Sequence, residues 1–162
     1  MAQQKILISA GELSGDIHAS GLIKELKKQN ADITLFGLGG KNMESEGVRL
    51  IYNIVDLATI GFFEICRSFF IFKKIFHRTL KQAQTIRPDL AILVDAPGFN
   101  LPLAKELSKL NIPVIYYISP QIWAWHFSRI HTIKKYIKEI LVFFDFEKKL
   151  YDANGVSCTH IG

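Results

Sequence analysis

The stretch Leu90-Ala91-Ile92-Leu93-Val94-Asp95-Ala96-Pro97-Gly98-Phe99-Asn100 decides how the rest of the chain is read. Its first five residues are a short apolar run, the pattern of a strand buried on both faces of a parallel sheet. The run stops at Asp95, and Pro97 and Gly98 then force a turn, one by fixing φ and the other by permitting unusual φ. Asn100 is placed to cap a helix beginning at Leu101-Pro102, with Pro102 in its first turn. Asp95 thus falls at the carboxyl end of a central strand, where open α/β sheets bind ligands. An aspartate there can equally cap its own turn, and position alone does not separate the two roles.

Outward from this stretch, the pattern repeats. Lys5 to Ser9 reads as a first buried strand, followed by the loop Ala10-Gly11-Glu12-Leu13-Ser14-Gly15-Asp16. A helix with Ile17, Leu22, Ile23 and Leu26 at helical spacing comes next, with Gly21 where the helix packs closely. The loop has neither the Lys-Ser/Thr pair of a P-loop nor the three-glycine dinucleotide fingerprint. It presents Glu12, Ser14 and Asp16 at a helix N-terminus, where Ser14 or Asp16 would serve as a simple cap and Glu12 is harder to explain that way. Ile33 to Gly37 is a second strand, and the glycines at 37, 39 and 40 imply left-handed backbone or close approach of something to the backbone, a plain tight turn being the simpler reason. A short helix over 42–46 and a strand over 48–52 complete that unit.

Pro113 to Ile118 is a further buried strand, running into Ser119-Pro120-Gln121-Ile122-Trp123-Ala124-Trp125-His126. Both tryptophans of the protein lie in this connection, so they pack beneath it or line a site; indoles stack on sugars and anchor at membrane interfaces. Arg129, Lys134, Lys135 and Lys138 mark a basic helix, 139–144 a strand, 146–154 a helix closed by Gly155, and 156–162 the start of another element. Strands alternating with helices through short connections imply an α/β, Rossmann-like, mostly parallel sheet with helices on both faces. The loops 11–16, 95–100 and 119–126 should then open on one sheet edge and form one site.

The 162 residues suffice for one domain with a sizeable core, and 49% hydrophobic with 22% charged residues excludes a disordered chain. A net charge of +5 points to an anionic partner. Cys66 and Cys158 have no metal-ligand spacing and are too few for a disulfide framework, which fits a reduced, cytoplasmic setting. There is no signal-peptide pattern and no apolar run of transmembrane length. The segment from Ile65 to Arg87 reads as a helix whose core stripe is Ile65, Phe69, Phe72, Phe76, Leu80 and Ala83. Phe63, Cys66, Phe70 and Ile71 lie off that stripe, beside Arg67, Lys74, Arg78 and Lys81, and no acidic residue occurs from Ile65 to Pro88. An apolar patch set in basic charge suits a helix lying on an anionic membrane surface, with Phe63, Cys66, Arg67, Phe70, Ile71 and Lys74 as its contacts. Cover by another part of the protein is the plainer alternative. Basic residues interleaved with phenylalanines do not track a nucleic-acid backbone.

Three of these segments together resemble the lipid-A-disaccharide synthase family of GT-B type glycosyltransferases: 9–16, 95–100 and 119–125, supported by Phe146-Glu147 and a closing His160-Ile161-Gly162. The resemblance implies an inverting transfer of a UDP-linked diacylglucosamine to the 6-hydroxyl of a diacylglucosamine 1-phosphate acceptor. UDP is released, with no metal or other cofactor, by an enzyme peripheral on the cytoplasmic face of the bacterial inner membrane. It implies Asp95 as general base, with Glu12, Ser14, Asp16, Asn100, Ser119, Gln121, Trp123 and Trp125 as substrate-binding positions. Leu13 is bulkier than the residue often found there, and His126 stands where the family usually has arginine. The 162 residues correspond to the acceptor-side, N-terminal half of a GT-B fold. The half that binds the UDP-sugar donor has no counterpart here, so this chain alone is expected to be inactive. A non-catalytic module binding a lipid or sugar phosphate is the competing reading.

Overall fold

The computed structural model describes residues 3–58, 65–124 and 126–162, with backbone alone at 58 and 65–68. Among these residues seven strands form one sheet: β1 (Gln4–Ala10), β2 (Ile33–Gly39), β3 (Arg49–Asn53), β4 (Leu90–Val94), β5 (Val114–Tyr117), β6 (Glu139–Val142) and β7 (Cys158–His160). Seven helices connect them: α1 (Leu13–Gln29), α2 (Lys41–Ser45), α3 (Val55–Ala58), α4 (Ile65–Ile86), α5 (Pro97–Lys109), α6 (Arg129–Tyr136) and α7 (Asp145–Ala153).

The strand order is β3-β2-β1-β4-β5-β6-β7 and every pairing is parallel. This is the doubly wound Rossmann-like arrangement expected from the sequence. The chain reverses its direction of travel across the sheet between β1 and β4. At such a switch point the loops from neighbouring strands part and leave a crevice. Ala10 pairs with Val94 and Val94 with Tyr117, so the loops after β1, β4 and β5 leave the same edge side by side.

Alternation along the strands divides the core in two. Ile6, Ile8, Ala10, Ile92 and Val94 face one side, against Ala19 and Ile23 of α1 and Met43 of α2. Leu7, Phe36, Leu38, Ala91 and Leu93 face the other, against α4 to α7. Within α1, Ala19 and Ile23 are buried and Leu22 and Leu26 flank them, but Ile17 is 52% exposed and a Cβ on Gly21 would meet nothing. Gly21 therefore marks no close packing.

The expected stripe of α4 is also revised. Ile75, Thr79 and Ala83 are its buried line, flanked by Ile71, Phe72, Phe76, Leu80 and Ile86, whereas Phe69 is 65% exposed. Thr79 is buried without loss because its hydroxyl donates to the Ile75 carbonyl at 2.9 Å. The glycines at 37, 39 and 40 do not simply make a tight turn, since Gly37 and Gly39 lie within β2. A Cβ on Gly40 would lie 2.8 Å from Asp16 Oδ2, so the residue is small because α1 approaches it closely. No helix among the described residues is long and apolar enough to cross a membrane.

Candidate active site

The β4 exit is the most tightly specified turn at this edge. Asp95 and Ala96 both adopt left-handed backbone, with φ of 46° and 43°, and α5 begins directly at Pro97. The helix thus starts four residues before the position expected from sequence, because Pro97 supplies the first helical φ. Two consecutive non-glycine residues in this region are costly and persist only where their surroundings hold them. The hold is visible. The Asp95 N–H donates to the Tyr117 carbonyl at 3.3 Å, and the Asp95 carbonyl accepts from Asn100 Nδ2 at 2.9 Å and from the Tyr116 hydroxyl. Ile118 and His126, on either side of the β5 loop, are left-handed as well. Of the six such non-glycine residues among those described, four therefore lie in these loops.

The side chain of Asp95 is half-buried. Burial pushes its carboxyl above the ordinary carboxylate value, and the Ala96 N–H offsets part of that rise. A carboxylate with a raised pKa accepts a proton more readily near neutral pH. It faces a polar groove lined also by Pro97, Ile118, Ser119, Gln121 and Arg129. On the β1 side, Glu12 occupies the N-cap position of α1 but its exposed side chain caps nothing. The two loops touch: a Cβ on Gly11 would come within 2.7 Å of the Ala96 Cβ. Glu12 and Asp95 hence share one edge, as expected, and the β5 loop borders Asp95 through Ser119 and Gln121.

Three expected binding residues are committed to the scaffold. Asp16 is fully buried; its Oδ1 accepts from the Gly40 and Met43 N–H groups at 2.7 and 3.2 Å, and its Oδ2 from Asn42 N and Nδ2 at 3.0 and 2.8 Å. Four donors leave that carboxylate capping α2 instead of facing a ligand. Asn100 is likewise fully buried, accepting from Ser9 Oγ at 2.8 Å while its amide donates to the carbonyls of Ser9, Val94 and Asp95. It does not cap α5; it ties β1 to the end of β4 and positions Asp95. Ser119 is nearly buried, 2.7 Å from the Tyr151 hydroxyl, although it still borders the polar groove.

Ser14 and Gln121 are exposed, and Trp123 is half exposed with its ring edge-on to Phe146 at 5.3 Å. Trp125 lies outside the described residues, as does Phe63 and the side chains of Cys66 and Arg67. On α4, Phe70 is 72% exposed and Lys74 is exposed, while Ile71 is half-buried against the core and belongs to the inner face. Sequence reasoning missed Arg129 and Glu147 as neighbours of the site. Arg129 opens α6, an unfavourable end for a cation, and that placement was the available signal. Glu147 is buried and its pKa is raised by that burial, while hydrogen bonds from the Trp123 and Ser119 side chains and nearby N–H groups oppose the rise.

Residues 6–162 match the family described as lipid-A-disaccharide synthetase. The chain belongs to that family. A lipid-A-disaccharide synthase of Coxiella burnetii (strain Dugway 5J108-111) is 41% identical over 162 residues, covering all of this chain and 43% of the relative. Lipid-A-disaccharide synthase 1 of Legionella pneumophila (strain Philadelphia 1) is 46% identical over 159 residues, covering 98% of this chain and 41% of the relative. The chain thus spans less than half the length of these family members. Among solved structures, a Glycyrrhiza uralensis protein complexed with glycyrrhetinic acid 3-O-monoglucuronide superposes with a TM-score of 0.68 at 9% identity, over all of this chain and 49% of the other. The calicheamicin glycosyltransferase gives 0.55 at 12% identity, over all of this chain and 53% of the other. At such identities the likeness is one of fold, and that fold is the Rossmann-like half of a GT-B glycosyltransferase.

Proposed function

We propose that these residues form the acceptor side of a lipid A disaccharide-forming glycosyltransferase. The observation that carries the reading is the half-buried Asp95 carboxyl, held by strained and hydrogen-bonded backbone beside the switch point. The acceptor is a diacylglucosamine 1-phosphate whose 6-hydroxyl lies at Asp95. As that oxygen attacks the anomeric carbon of the UDP-linked diacylglucosamine, its proton passes to the Asp95 carboxylate. The new C–O bond forms as the bond to UDP breaks, and UDP leaves with the electron pair. One displacement inverts the anomeric centre. Arg129, which lines the same groove as Asp95, is suited to the acceptor's phosphate. Glu12, Ser14, Gln121, Trp123 and Trp125 contribute hydrogen bonds and a stacking surface for the sugars. The donor is held by a second domain beyond the segment described by these 162 residues.

Both substrates carry acyl chains, so the enzyme works at a membrane surface. The exposed pair Phe69 and Phe70, whose rings meet edge-on at 5.9 Å, and the exposed Lys73, Lys74 and Arg78 provide the contact. In a bacterium this is the cytoplasmic face of the inner membrane, where the protein is peripheral. The test is a chimaera in which these residues replace the matching segment of the Legionella relative. Disaccharide formation with release of UDP supports the reading, and a folded chimaera that releases none overturns it.

A further inference from the structure

Between α4 and the start of α5 the surface sinks into a second groove, of about 520 Å³, with walls from Ile54, Phe69, Phe72, Pro97, Gly98 and Phe99. Phe72 and Phe99 are anchored in the core cluster with their rings 6.3 Å apart, and Phe99 also packs edge-on against Phe76 at 5.6 Å. The walls formed by Phe72 and Phe99 are therefore fixed. Apolar grooves of this size are ordinary ligand sites when polar groups converge at one end. Here the Glu12 carboxylate lines the groove, and Pro97 is shared with the polar groove of Asp95 and Arg129. Asp95 and Ala96, consecutive and both left-handed, line the two grooves in turn.

Gly98 adds a second observation. It lies in the first turn of α5, where glycine is less favourable than alanine, and a Cβ built on it meets no atom within 4 Å. Its missing side chain is not required by packing within the protein and leaves the groove open. At the other end, the 65% exposed Phe69 continues into Phe70, on the face assigned to the membrane. The groove thus runs from the reacting end of the site toward that surface.

We infer that this groove receives one acyl chain of the acceptor sugar, so that α4 and the first turn of α5 measure its length. This rests on the reading of the Asp95 groove as the acceptor site. A chain seated there places the sugar across Pro97 with its hydroxyl toward Asp95, and withdraws its methylenes from water. Each methylene buried strengthens binding by up to about fourfold, until the groove is full.

The test measures binding of N-acetyl-, N-hexanoyl- and N-decanoylglucosamine 1-phosphate to the chain, below their micelle concentrations, by calorimetry and amide NMR shifts. The comparison is with Gly98→Leu, whose side chain enters the groove and whose thermal stability should equal or exceed the parent's. The parent should gain at least tenfold in affinity from acetyl to decanoyl, while Gly98→Leu should keep the acetyl compound within about twofold and lose most of the gain. The same gain in Gly98→Leu, or a decyl phosphate without sugar bound as tightly as the decanoyl sugar, overturns the inference. Acetyl binding in the Asp95 groove with no gain in the parent overturns it and leaves the acceptor reading standing. Absence of binding by all three sugars defeats both.

Discussion

Asp16 separates a scaffold role from a ligand role most sharply, and its removal has a calculable cost. In Asp16→Ala, the Gly40 and Met43 N–H groups lose the acceptor that served them in a buried setting. Each orphaned buried donor costs about 1–3 kcal/mol. The Asn42 donors are only part-buried and recover some hydration, adding less. The total is about 3–5 kcal/mol, a large share of the roughly 5–15 kcal/mol that holds a domain together. Asp16→Asn keeps the shape but turns an amide donor toward two donors, so it should cost about 2–3 kcal/mol. Urea unfolding followed by circular dichroism measures both. With a slope near 2 kcal/mol per M, the Ala midpoint falls by roughly 2 M and the Asn midpoint by about 1 M. Hydrogen exchange at Gly40 and Met43 should quicken in parallel. An Asp16→Ala midpoint within about 0.3 M of the parent, which a free ligand-facing carboxylate would give, refutes the reasoning.

Three further outcomes are expected. Gly21→Ala should raise stability by about 0.5–1 kcal/mol in the same unfolding assay, because the site is helical and its Cβ meets nothing. Burial raises the Tyr151 hydroxyl from 10.0 to about 12, so the folded state keeps a proton that the unfolded state gives up. Stability should accordingly fall as pH rises through that interval, and Tyr151→Phe should flatten the fall measured by pH-dependent unfolding, with Tyr116, Tyr117 and Cys158, which burial also raises, supplying what remains. In sedimentation with anionic liposomes, Phe70→Ser should weaken binding by about fivefold, for roughly 1 kcal/mol of partial insertion. Ile71→Ser should chiefly lower the unfolding midpoint, since its side chain belongs to the core.

The sheet was legible because parallel strands are short apolar runs, and their alternation with helices leaves little choice of architecture. Asp95 was legible for the same reason, as the polar residue that ends such a run. What escaped were roles decided by distant partners. Asp16 meets residues 24 to 27 positions away, and Asn100 meets Ser9 across 91 positions. Nothing beside either residue distinguishes a side chain facing a ligand from one facing another loop. On α4, apolar residues cover so much of the circumference that periodicity gives no unique direction. The small side chains of Thr79 and Ala83, which permit close packing, set the buried line instead. Arg129 escaped because a basic residue among lysines reads as a solvated helix face until the fold brings it to Asp95.

The central claim is that Asp95 removes the acceptor proton. Its most direct test is Asp95→Asn in the Legionella chimaera, with turnover and acceptor binding measured on the same preparation. The account predicts that kcat falls by roughly 10²–10⁴-fold while acceptor affinity stays within a few-fold, since the amide preserves shape but cannot act as the base. Turnover within threefold of the parent chimaera would contradict it.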